Sequence, residues 1–303
     1  MNNTNTILGI TALLSFLGVG LLIVAAQSAP SFSAAHTSQQ ASVSALEASD
    51  AFRDVSLIGD AGYIFDLSTN KSIFQKNESA QLPLASLTKV AVVILAAEHL
   101  DMKQTIVFRE QSLRPEGDSG FVVGEAWNIR DLIDFTLMTS SNDGAAALAD
   151  ALETKTGTSI TELLNALARE LQLAQTYFIN ETGLDSSRGL SGAYGSAHDV
   201  AMLFTYAYKT SPHLFSATAV AEHVFVNASG VPYKAVNTNK VVGKLPGLVF
   251  GKTGFTDLAG GNLAVVVETE PGHPLVIVIL GSTLDGRFTD VVTLAHATLR
   301  TPQ

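Results

Sequence analysis

The stretch Pro83-Leu-Ala-Ser-Leu-Thr-Lys89, continued by Val90-Ala-Val-Val-Ile-Leu-Ala-Ala97, decides the structure around it. A long apolar run after a short polar segment predicts a buried helix, with Ser86 in its first turn. Residues three positions apart share a helix face, so Ser86 and Lys89 can meet. A capping serine and a solvated lysine would also explain this pair. The buried helix favours a different interpretation, because burial without an anion lowers a lysine pKa and produces a base near neutral pH.

Two further motifs follow in order, Ser140-Ser-Asn142 and Lys252-Thr-Gly254. The first lies between helical patterns at 131–138 and 144–152, where a helix–helix turn with an Asn or Asp cap is the simpler explanation. The second follows the strand-like run 248–251, and a strand ending at a glycine turn is its simpler explanation. Together the three motifs supply a nucleophile beside a base, a second hydroxyl with an amide, and a cationic strand with a hydroxyl. These are the parts of a serine acyl-transfer site.

Each short motif also occurs elsewhere, so context must choose between the copies. Ser68-Thr-Asn-Lys71 contains both a Ser-x-x-Lys and a Ser-x-Asn, and Lys155-Thr-Gly157 repeats the third motif. The first copy lies between strand-like runs, which predicts a hairpin turn. The second ends a helical run before Thr158 and Ser159, which are good caps for the next helix. Both copies therefore have a sufficient structural explanation.

The chain resembles the serine D-alanyl-D-alanine carboxypeptidases, the low-molecular-mass penicillin-binding proteins of peptidase family S11, over roughly residues 55–299. Beyond the three motifs, the matching segments are Gly62-Tyr-Ile64, Gly117-Asp-Ser-Gly120, Met138-Thr-Ser-Ser-Asn-Asp-Gly144, Asn180-Glu-Thr-Gly-Leu-Asp185, Ser196-Ala-His-Asp199 and Gly251-Lys-Thr-Gly-Phe-Thr-Asp257. His198 stands where the family commonly has Arg, so we assign it no role. We also expect the chain to lack the C-terminal β-domain and amphipathic anchor of many relatives.

The fold class expected is mixed α/β. Strand-like segments from both chain ends surround a helical middle, which favours one antiparallel sheet with helices on its faces. Strands are predicted near 55–65, 72–75, 224–226, 233–238, 248–252, 262–268 and 274–280, and helices at 86–100, 129–138, 144–152, 159–171, 196–208 and 285–299. The resemblance implies the β-lactamase/transpeptidase-like fold, an antiparallel sheet flanked by helices plus an all-helical subregion, with the three motifs in one cleft.

The resemblance also implies a role for each motif residue in removing the last D-alanine from a peptidoglycan stem peptide that ends in D-Ala-D-Ala. The catalytic residues are then Ser86 as nucleophile, Lys89 as the base and Ser140 as the proton carrier to the leaving D-alanine. The substrate-binding residues are Asn142 for the substrate amide, Lys252 and Thr253 for the terminal carboxylate, Gly254, and Phe255, whose backbone N–H holds the oxyanion together with that of Ser86. β-Lactams are expected to acylate Ser86 by the same route, as covalent inhibitors.

Three alternatives stay open at this stage. A class A β-lactamase uses the same trio with a deacylating Glu. Glu162-Leu-Leu-Asn165 superficially resembles that element, but its spacing is one residue short and it lies in an amphipathic helical pattern, so we interpret it as helix surface. A peptidoglycan endopeptidase could use the same site on cross-links. A non-catalytic penicillin-binding wall module could use the same fold.

Composition excludes several other classes. The formal net charge of -10 argues against nucleic-acid binding. With no cysteine in the chain, disulfides and thiol catalysis are excluded. The 7 histidines show no zinc-binding spacing, so neither a metal nor another cofactor is expected.

The N-terminal region predicts a targeting segment. Residues 7–26 carry no charge and are long enough to span a bilayer, so residues 1–26 are interpreted as a membrane anchor or a cleaved signal peptide, with the anchor favoured. Residues 27–50 are rich in Ser, Ala and Gln, which is typical of a flexible linker. Residues 51–303 form the expected catalytic domain, outside the cytoplasmic membrane and tethered to it.

Overall fold

The computed structural model describes residues 51–268 and 270–300. The strands are β1 (Ala61–Asp66), β2 (Lys71–Lys76), β3 (Leu82–Pro83), β4 (Thr105–Val107), β5 (Ala126–Asn128), β6 (Tyr177–Phe178), β7 (Ala193–Gly195), β8 (Glu222–Val226), β9 (Pro232–Val236), β10 (Leu248–Thr256), β11 (Gly260–Glu268) and β12 (Pro274–Ser282). The α-helices are α1 (Thr88–His99), α2 (Ile129–Thr139), α3 (Asn142–Thr156), α4 (Ile160–Glu170), α5 (Ala197–Thr210) and α6 (Gly286–Thr298). Short 3₁₀ turns lie at Ala85–Leu87, Glu110–Leu113, Pro212–Leu214 and Ser216–Ala219.

The main sheet joins strands from the two ends of the described chain. Its five strands run in the order β10-β11-β12-β1-β2, and every neighbouring pair is antiparallel. The expected antiparallel sheet with a helical segment between its sequence halves is therefore confirmed. β10 is thus an edge strand of this sheet, and the edge that does not pair with β11 is free to contact other parts of the molecule.

The two faces of this sheet belong to separate apolar cores. Successive side chains of a strand point to opposite faces. Along β11, Ala264 and Val266 join the core that contains helices α1 and α5, whereas Leu263, Val265 and Val267 join the core formed with α6. The sheet is thus covered on both sides, as the resemblance implied.

Helix α1 is buried on all sides. Nine consecutive residues, from Thr88 to Ala96, are buried, and they pack between the sheet and the helices of the all-helical region. A helix that is apolar all round has to be enclosed by protein in this way. Lys89 belongs to this buried stretch, so the packing around α1 shields its side chain from bulk water.

The first predicted strand, 55–65, is wrong in its first half. The strand begins only at Ala61, and the preceding segment follows an irregular path. The backbone N–H groups of Ile58 and Gly59 donate to the two carboxylate oxygens of Asp290 on α6, each at 2.9 Å. These amides are therefore bound to a helix and cannot pair with a neighbouring strand.

The predicted strands 224–226 and 233–238 exist but do not join the main sheet. They form a separate two-stranded hairpin, β8-β9. Sequence pattern identifies a strand but not its partner, since the same alternation fits any half-buried pair. This part of the single-sheet prediction is corrected.

The duplicate motifs have the structural roles expected of them. Ser68 lies in the β1-β2 turn, where its hydroxyl and its backbone N–H both bond to the Asp66 carboxylate. Gly157 ends α3 in the left-handed conformation (φ 71°), and Ser159 caps α4 by accepting from the Glu162 N–H. Both copies are thus accounted for by turns and helix ends.

A buried carboxylate ties the β8-β9 hairpin to the segment before β5. Glu125 is 7% exposed and accepts hydrogen bonds from Trp127 Nε1 (2.7 Å), Asn227 Nδ2 (2.7 Å), Tyr233 Oη (2.8 Å) and the Val122 N–H (3.1 Å). Burial alone would raise the pKa of Glu125, but these four donors outweigh burial and lower it. The carboxylate is thus held ionised by its partners.

The predicted membrane segment, residues 1–26, and the predicted linker, residues 27–50, lie outside the described residues. Within residues 51–268 and 270–300, the structure contains no helix with the length and apolar character needed to cross a bilayer.

Replacing the buried carboxylate should destabilise the fold. Glu125→Gln replaces one carboxylate oxygen by an NH₂ group, which then faces hydrogen-bond donors. We expect this substitution to lower the free energy of unfolding by about 1–3 kcal/mol at pH 7. Because the folded-state pKa of Glu125 is depressed, the difference between wild type and variant should shrink as pH falls from about 4.3 through the lower folded-state value. Urea unfolding across pH measures this difference. The exposed Glu110→Gln is the matched control, and an equal effect of both substitutions would contradict the assignment.

Candidate active site

Ser86 lies in a strained turn directly before α1. The 3₁₀ turn Ala85–Leu87 precedes the helix, so Ser86 is not in the first α-helical turn that the sequence predicted. Ala85 has a positive φ of 49°, which is uncommon for a residue with a Cβ and is held by its surroundings. The turn leaves Ser86 half-exposed, while its neighbours on both sides are buried.

Hydrogen bonds from the main sheet fix the backbone just before Ser86. Asn262 of β11 is fully buried, and its Nδ2 donates to the carbonyls of Pro83 (2.9 Å) and Leu84 (3.1 Å). Its Oδ1 accepts from the Gly281 N–H of β12 at 2.9 Å. One amide side chain therefore fixes the approach to Ser86 relative to two strands. The sequence analysis did not identify Asn262, and a single Asn in an apolar strand was the available signal.

Three oxygens surround the amine of Lys89. Nζ lies 2.8 Å from Ser86 Oγ, 2.7 Å from Asn142 Oδ1 and 2.8 Å from the Thr182 carbonyl oxygen. The side chain is fully buried. The expected meeting of Ser86 and Lys89 is therefore present, and the structure adds two partners from distant segments.

This arrangement selects the direction of the Ser86–Lys89 hydrogen bond. A neutral amine has two N–H donors and one lone pair. The carbonyl oxygens of Asn142 and Thr182 can only accept, so they take both donors. When the amine is neutral, its lone pair then faces Ser86 Oγ, which is the geometry that a general base requires.

Burial lowers the pKa of Lys89 to about 7, although the nearby Glu181 carboxylate raises it. The sequence-based expectation that burial lowers the pKa of Lys89 therefore agrees with this direction. The pKa of Lys252 is lowered chiefly by its own burial and then by the charge of Lys89. The pKa of Glu181 is in turn raised, chiefly by its own burial.

The Thr182 carbonyl is positioned by a loop whose role the sequence analysis did not identify. Asn180 Oδ1 accepts from the N–H groups of Thr182 (3.2 Å) and Gly183 (2.7 Å), which closes a tight turn. Gly183 has φ 76°, and a Cβ there would lie 1.9 Å from the Ala85 carbonyl oxygen. The Asn-x-x-Gly spacing was the available signal for this turn.

The Ser140-Ser-Asn142 motif forms the junction between α2 and α3. Ser140 ends α2 in the left-handed conformation (φ 63°), and Ser141, rather than the Asn or Asp expected, caps α3. Asn142 Nδ2 donates to the Glu116 carbonyl at 2.6 Å, while its Oδ1 faces Lys89. The second Nδ2 hydrogen has no partner among these bonds and can meet a substrate carbonyl.

Lys252 and Thr253 lie on the edge strand β10 beside Ser140. Lys252 Nζ donates to Ser140 Oγ (2.7 Å) and to the Thr253 carbonyl (2.8 Å), and its side chain is 2% exposed. Burial lowers the pKa of Lys252 well below its usual value, with further lowering by the charges of Lys89 and Arg287. Thr253 Oγ1 lies 2.6 Å from Thr238 Oγ1. These groups can hold a carboxylate, whose negative charge would favour the protonated form of Lys252.

Gly254 brings β10 against the Ser86 turn. A Cβ at Gly254 would lie 2.8 Å from the Leu84 carbonyl oxygen and 3.3 Å from the Ser86 nitrogen. The close neighbour of this glycine is therefore the backbone of the Ser86 turn. Phe255, the next residue, is 46% exposed. The backbone N–H groups at Ser86 and Phe255 are thus supplied by two segments in contact.

The structure therefore brings all the motif residues into one region. Ser86, Lys89 and Asn142 form one hydrogen-bonded set, and Ser140, Lys252 and Thr253 form a second. The contact at Gly254 and the electrostatic effect of Lys89 on Lys252 join the two sets.

Two other residues named from the sequence lie elsewhere. Glu162 is exposed in the first turn of α4 and its carboxylate accepts from Ser159 Oγ at 2.9 Å, so its interpretation as helix surface is confirmed. His198 Nδ1 lies 3.2 Å from Asp199 Oδ1, and its ring packs edge-on against Tyr63. Over residues 51–268 and 270–300 no cluster of three His, Asp or Glu side chains is arranged to hold a metal ion.

Comparison with known proteins places this geometry in a family. The family model for D-alanyl-D-alanine carboxypeptidase, peptidase S11, matches residues 51–283. The chain is 30% identical over 219 residues to the D-alanyl-D-alanine carboxypeptidase DacB2 of Mycobacterium tuberculosis, covering 72% of each chain. It is 28% identical over 233 residues to a D-alanyl-D-alanine endopeptidase of Escherichia coli, covering 75% of this chain and 71% of that one.

Solved structures agree in fold. Penicillin-binding protein D2 of Listeria monocytogenes, in its ampicillin-bound form, superposes with a TM-score of 0.71 at 25% identity, covering 81% of this chain and 99% of that chain. A variant of the Streptomyces K15 DD-transpeptidase superposes with a TM-score of 0.72 at 18% identity, covering 81% and 99% respectively. The β-lactamase/transpeptidase-like fold expected from the sequence is confirmed.

The turn that carries the Thr182 carbonyl should tolerate no side chain at Gly183. In Gly183→Ala the added Cβ meets the Ala85 carbonyl and displaces the Ser86 turn. We expect at least a tenfold loss of the serine's reactivity and a loss of stability of about 2–4 kcal/mol, since overpacking is added to a strained φ. Labelling of Ser86 by a fluorophosphonate and thermal unfolding measure the two effects.

Gly189→Ala is the matched control, because a Cβ at Gly189 meets no atom within 4 Å and its φ is not positive. Equal behaviour of the two variants would contradict the proposed role of the 180–183 turn.

Proposed function

Since the chain belongs to the D-alanyl-D-alanine carboxypeptidase family, peptidase S11, we propose that it removes the terminal D-alanine from peptidoglycan stem pentapeptides through an acyl-enzyme on Ser86. The protein is a serine-type hydrolase. The observation that carries the residue assignment is the bond between Ser86 Oγ and the buried amine of Lys89, at 2.8 Å.

Acylation begins with proton transfer from Ser86 to Lys89. Asn142 and Thr182 occupy both N–H donors of the neutral amine, so its lone pair is directed at the serine hydroxyl. Ser86 Oγ then attacks the carbonyl carbon of the penultimate D-alanine. A positioned base of matched pKa typically contributes ~10²–10⁴ in rate.

The backbone N–H groups of Ser86 and Phe255 hold the developing oxyanion. Gly254 supports this assignment, because the absence of a side chain lets β10 approach the Ser86 nitrogen. Each such donor is typically worth ~10²–10³ in rate.

The terminal carboxylate of the substrate binds at Lys252 and Thr253, and Asn142 holds the substrate amide through its remaining Nδ2 hydrogen. A bound carboxylate next to the Lys252 amine favours its protonated form, offsetting the burial that lowers its pKa. Ser140 gives its hydroxyl proton to the leaving D-alanine nitrogen and takes a proton from the protonated Lys252, whose Nζ donates to its Oγ. Water then hydrolyses the acyl-enzyme and restores Ser86.

β-Lactams are expected to acylate Ser86 by the same attack, because a penicillin offers the same two groups, a reactive acyl carbonyl and a carboxylate. Support comes from the relative of known structure that was solved in an ampicillin-bound form. Since Glu162 lies on the surface of α4 and its carboxylate accepts from the capping Ser159, we do not assign it the deacylating role that a Glu has in class A β-lactamases.

Cleavage of cross-linked peptides is the second candidate activity. It is favoured by one observation, the similarity to an endopeptidase of E. coli at 28% identity. The same serine would then release a longer amine leaving group. Measuring D-alanine release from a pentapeptide against cleavage of a D-alanyl cross-linked dimer separates the two activities.

Peptidoglycan lies outside the cytoplasmic membrane, so we place the catalytic domain, residues 51–303, on that side. We further propose that residues 1–26 tether it as an anchor and that residues 27–50 act as a flexible linker. The uncharged stretch 7–26 supports this proposal. Membrane fractionation with and without residues 1–26 tests it.

The nucleophile assignment predicts a single covalent site. After incubation of the full chain with penicillin, mass spectrometry should find one adduct, and the labelled peptide should contain Ser86. Ser86→Ala should abolish both the adduct and D-alanine release from an acyl-D-Ala-D-Ala peptide. Ser68→Ala, in the second Ser-x-x-Lys copy, should change neither. An undiminished adduct on Ser86→Ala would refute the assignment.

The lysine-base assignment predicts a pH profile. Because only neutral Lys89 accepts the proton, the second-order rate of penicillin acylation should rise with pH and level off above about 7. Below that value the rate should fall about tenfold per pH unit. Stopped-flow acylation between pH 5 and 9 measures the profile, and Lys71→Gln should leave it unchanged. A flat profile through pH 7 would rule out Lys89 as the base.

A further inference from the structure

A buried arginine contacts the back of the proposed oxyanion site. Arg287 lies in the first turn of α6, is 6% exposed, and donates from Nη1 to the Gly254 carbonyl oxygen at 2.5 Å. Its guanidinium carbon lies 4.8 Å from the centre of the Phe288 ring. The mechanism above makes no use of this side chain.

Among the described residues, no carboxylate forms a salt bridge with Arg287. Asp285, its acidic neighbour along the chain, is exposed and pairs with Lys240 at 2.8 Å. Arg287 Nε is buried and has no hydrogen-bond partner in the part of the chain that the structure describes. Burying a cation without an ion pair lowers the stability of the fold. The contact of Arg287 with the Gly254 carbonyl therefore indicates a function for this side chain.

The contacted carbonyl shares a peptide plane with the Phe255 N–H. In a trans peptide the C=O and N–H groups point in opposite directions. A cation bound to the oxygen therefore fixes the plane and draws electron density away from the nitrogen, which strengthens the N–H as a donor on the opposite side.

We propose that Arg287 is a positioning residue of the oxyanion site, which holds and polarises the Gly254–Phe255 peptide so that the Phe255 N–H donates more strongly to the reacting carbonyl. This inference rests on the proposed function, because it requires an acyl-enzyme on Ser86. In this role Arg287 acts through one peptide group, in addition to the effect of its charge on the pKa of Lys252.

The chemistry of the site explains why an arginine is used. Burial lowers the pKa of Lys89 to about 7 and that of Lys252 well below its usual value. Burial also lowers the pKa of Arg287, but only to about 10, and the charge of Asp285 raises it. The guanidinium therefore stays charged in a region where an amine loses its proton.

The test compares Arg287→Met and Arg287→Lys with wild type in the full chain. Each protein is acylated with penicillin, and the ester carbonyl stretch of the acyl-enzyme is measured by infrared difference spectroscopy. A weaker oxyanion donor moves this stretch to higher wavenumber. We expect such a shift for Arg287→Met, with acylation slowed about 10–100-fold at nearly unchanged penicillin affinity, less than the loss of a whole donor.

Arg287→Lys should show a smaller shift in the same direction, and added methylguanidinium should restore part of the rate of Arg287→Met. Lys240→Gln is the matched control, because Lys240 is an exposed cation 5.6 Å from the same Phe288 ring. It should leave rate and spectrum unchanged.

Two outcomes overturn the proposal. A slower rate with an unchanged carbonyl stretch means that Arg287 only supports the fold, and wild-type behaviour of Arg287→Met means that it has no role. If Arg287→Met does not fold, Arg287→Lys decides by the same spectrum. Absence of any adduct on the wild type would instead refute the Ser86 acyl-enzyme itself, and with it this inference.

Discussion

The site depends on burying one lysine amine among oxygens that can only accept. Burial removes water from Lys89 and lowers its pKa to about 7, and the carbonyls of Asn142 and Thr182 occupy its donors. Without these partners a buried amine would be an unsatisfied polar group, which proteins rarely tolerate. With them, the donors of the buried amine are satisfied, and the lone pair of the neutral form is directed at Ser86.

Much of the surrounding structure serves this arrangement. Helix α1 can carry a buried lysine because it is enclosed by the sheet on one side and by the helical region on the other. The Ser86 turn is strained at Ala85, and its position is fixed by Asn262 from the sheet and by Gly183 from the facing loop. Strain at a reactive residue persists only where the surroundings fix it from several directions. At this site the fixing contacts come from segments far apart in the chain.

The two hydrogen-bonded sets, one around Lys89 and one around Lys252, have different proposed roles in the reaction. In the proposed mechanism the neutral form of Lys89 accepts a proton, whereas a bound carboxylate favours the charged form of Lys252. Burial lowers the pKa of both amines, and the charge of Lys89 lowers the pKa of Lys252 further. Substrate binding would supply the missing negative charge, which couples recognition of the terminal carboxylate to the electrostatics of the site.

The sequence by itself determined the local features. The apolar run after Ser86 predicted a buried helix, and turn chemistry explained the motif copies at Ser68 and Lys155. The order of the three motifs identified the residues that meet in the fold. It placed the first strand too early, because it could not show that Asp290 binds the amides of Ile58 and Gly59. Only the tertiary structure decided which oxygens surround Lys89, since Thr182 lies 93 residues away, and which side chain contacts the Gly254 carbonyl. Periodicity and spacing report interactions between neighbours in the chain, whereas pKa values and hydrogen-bond direction depend on atoms brought together by folding.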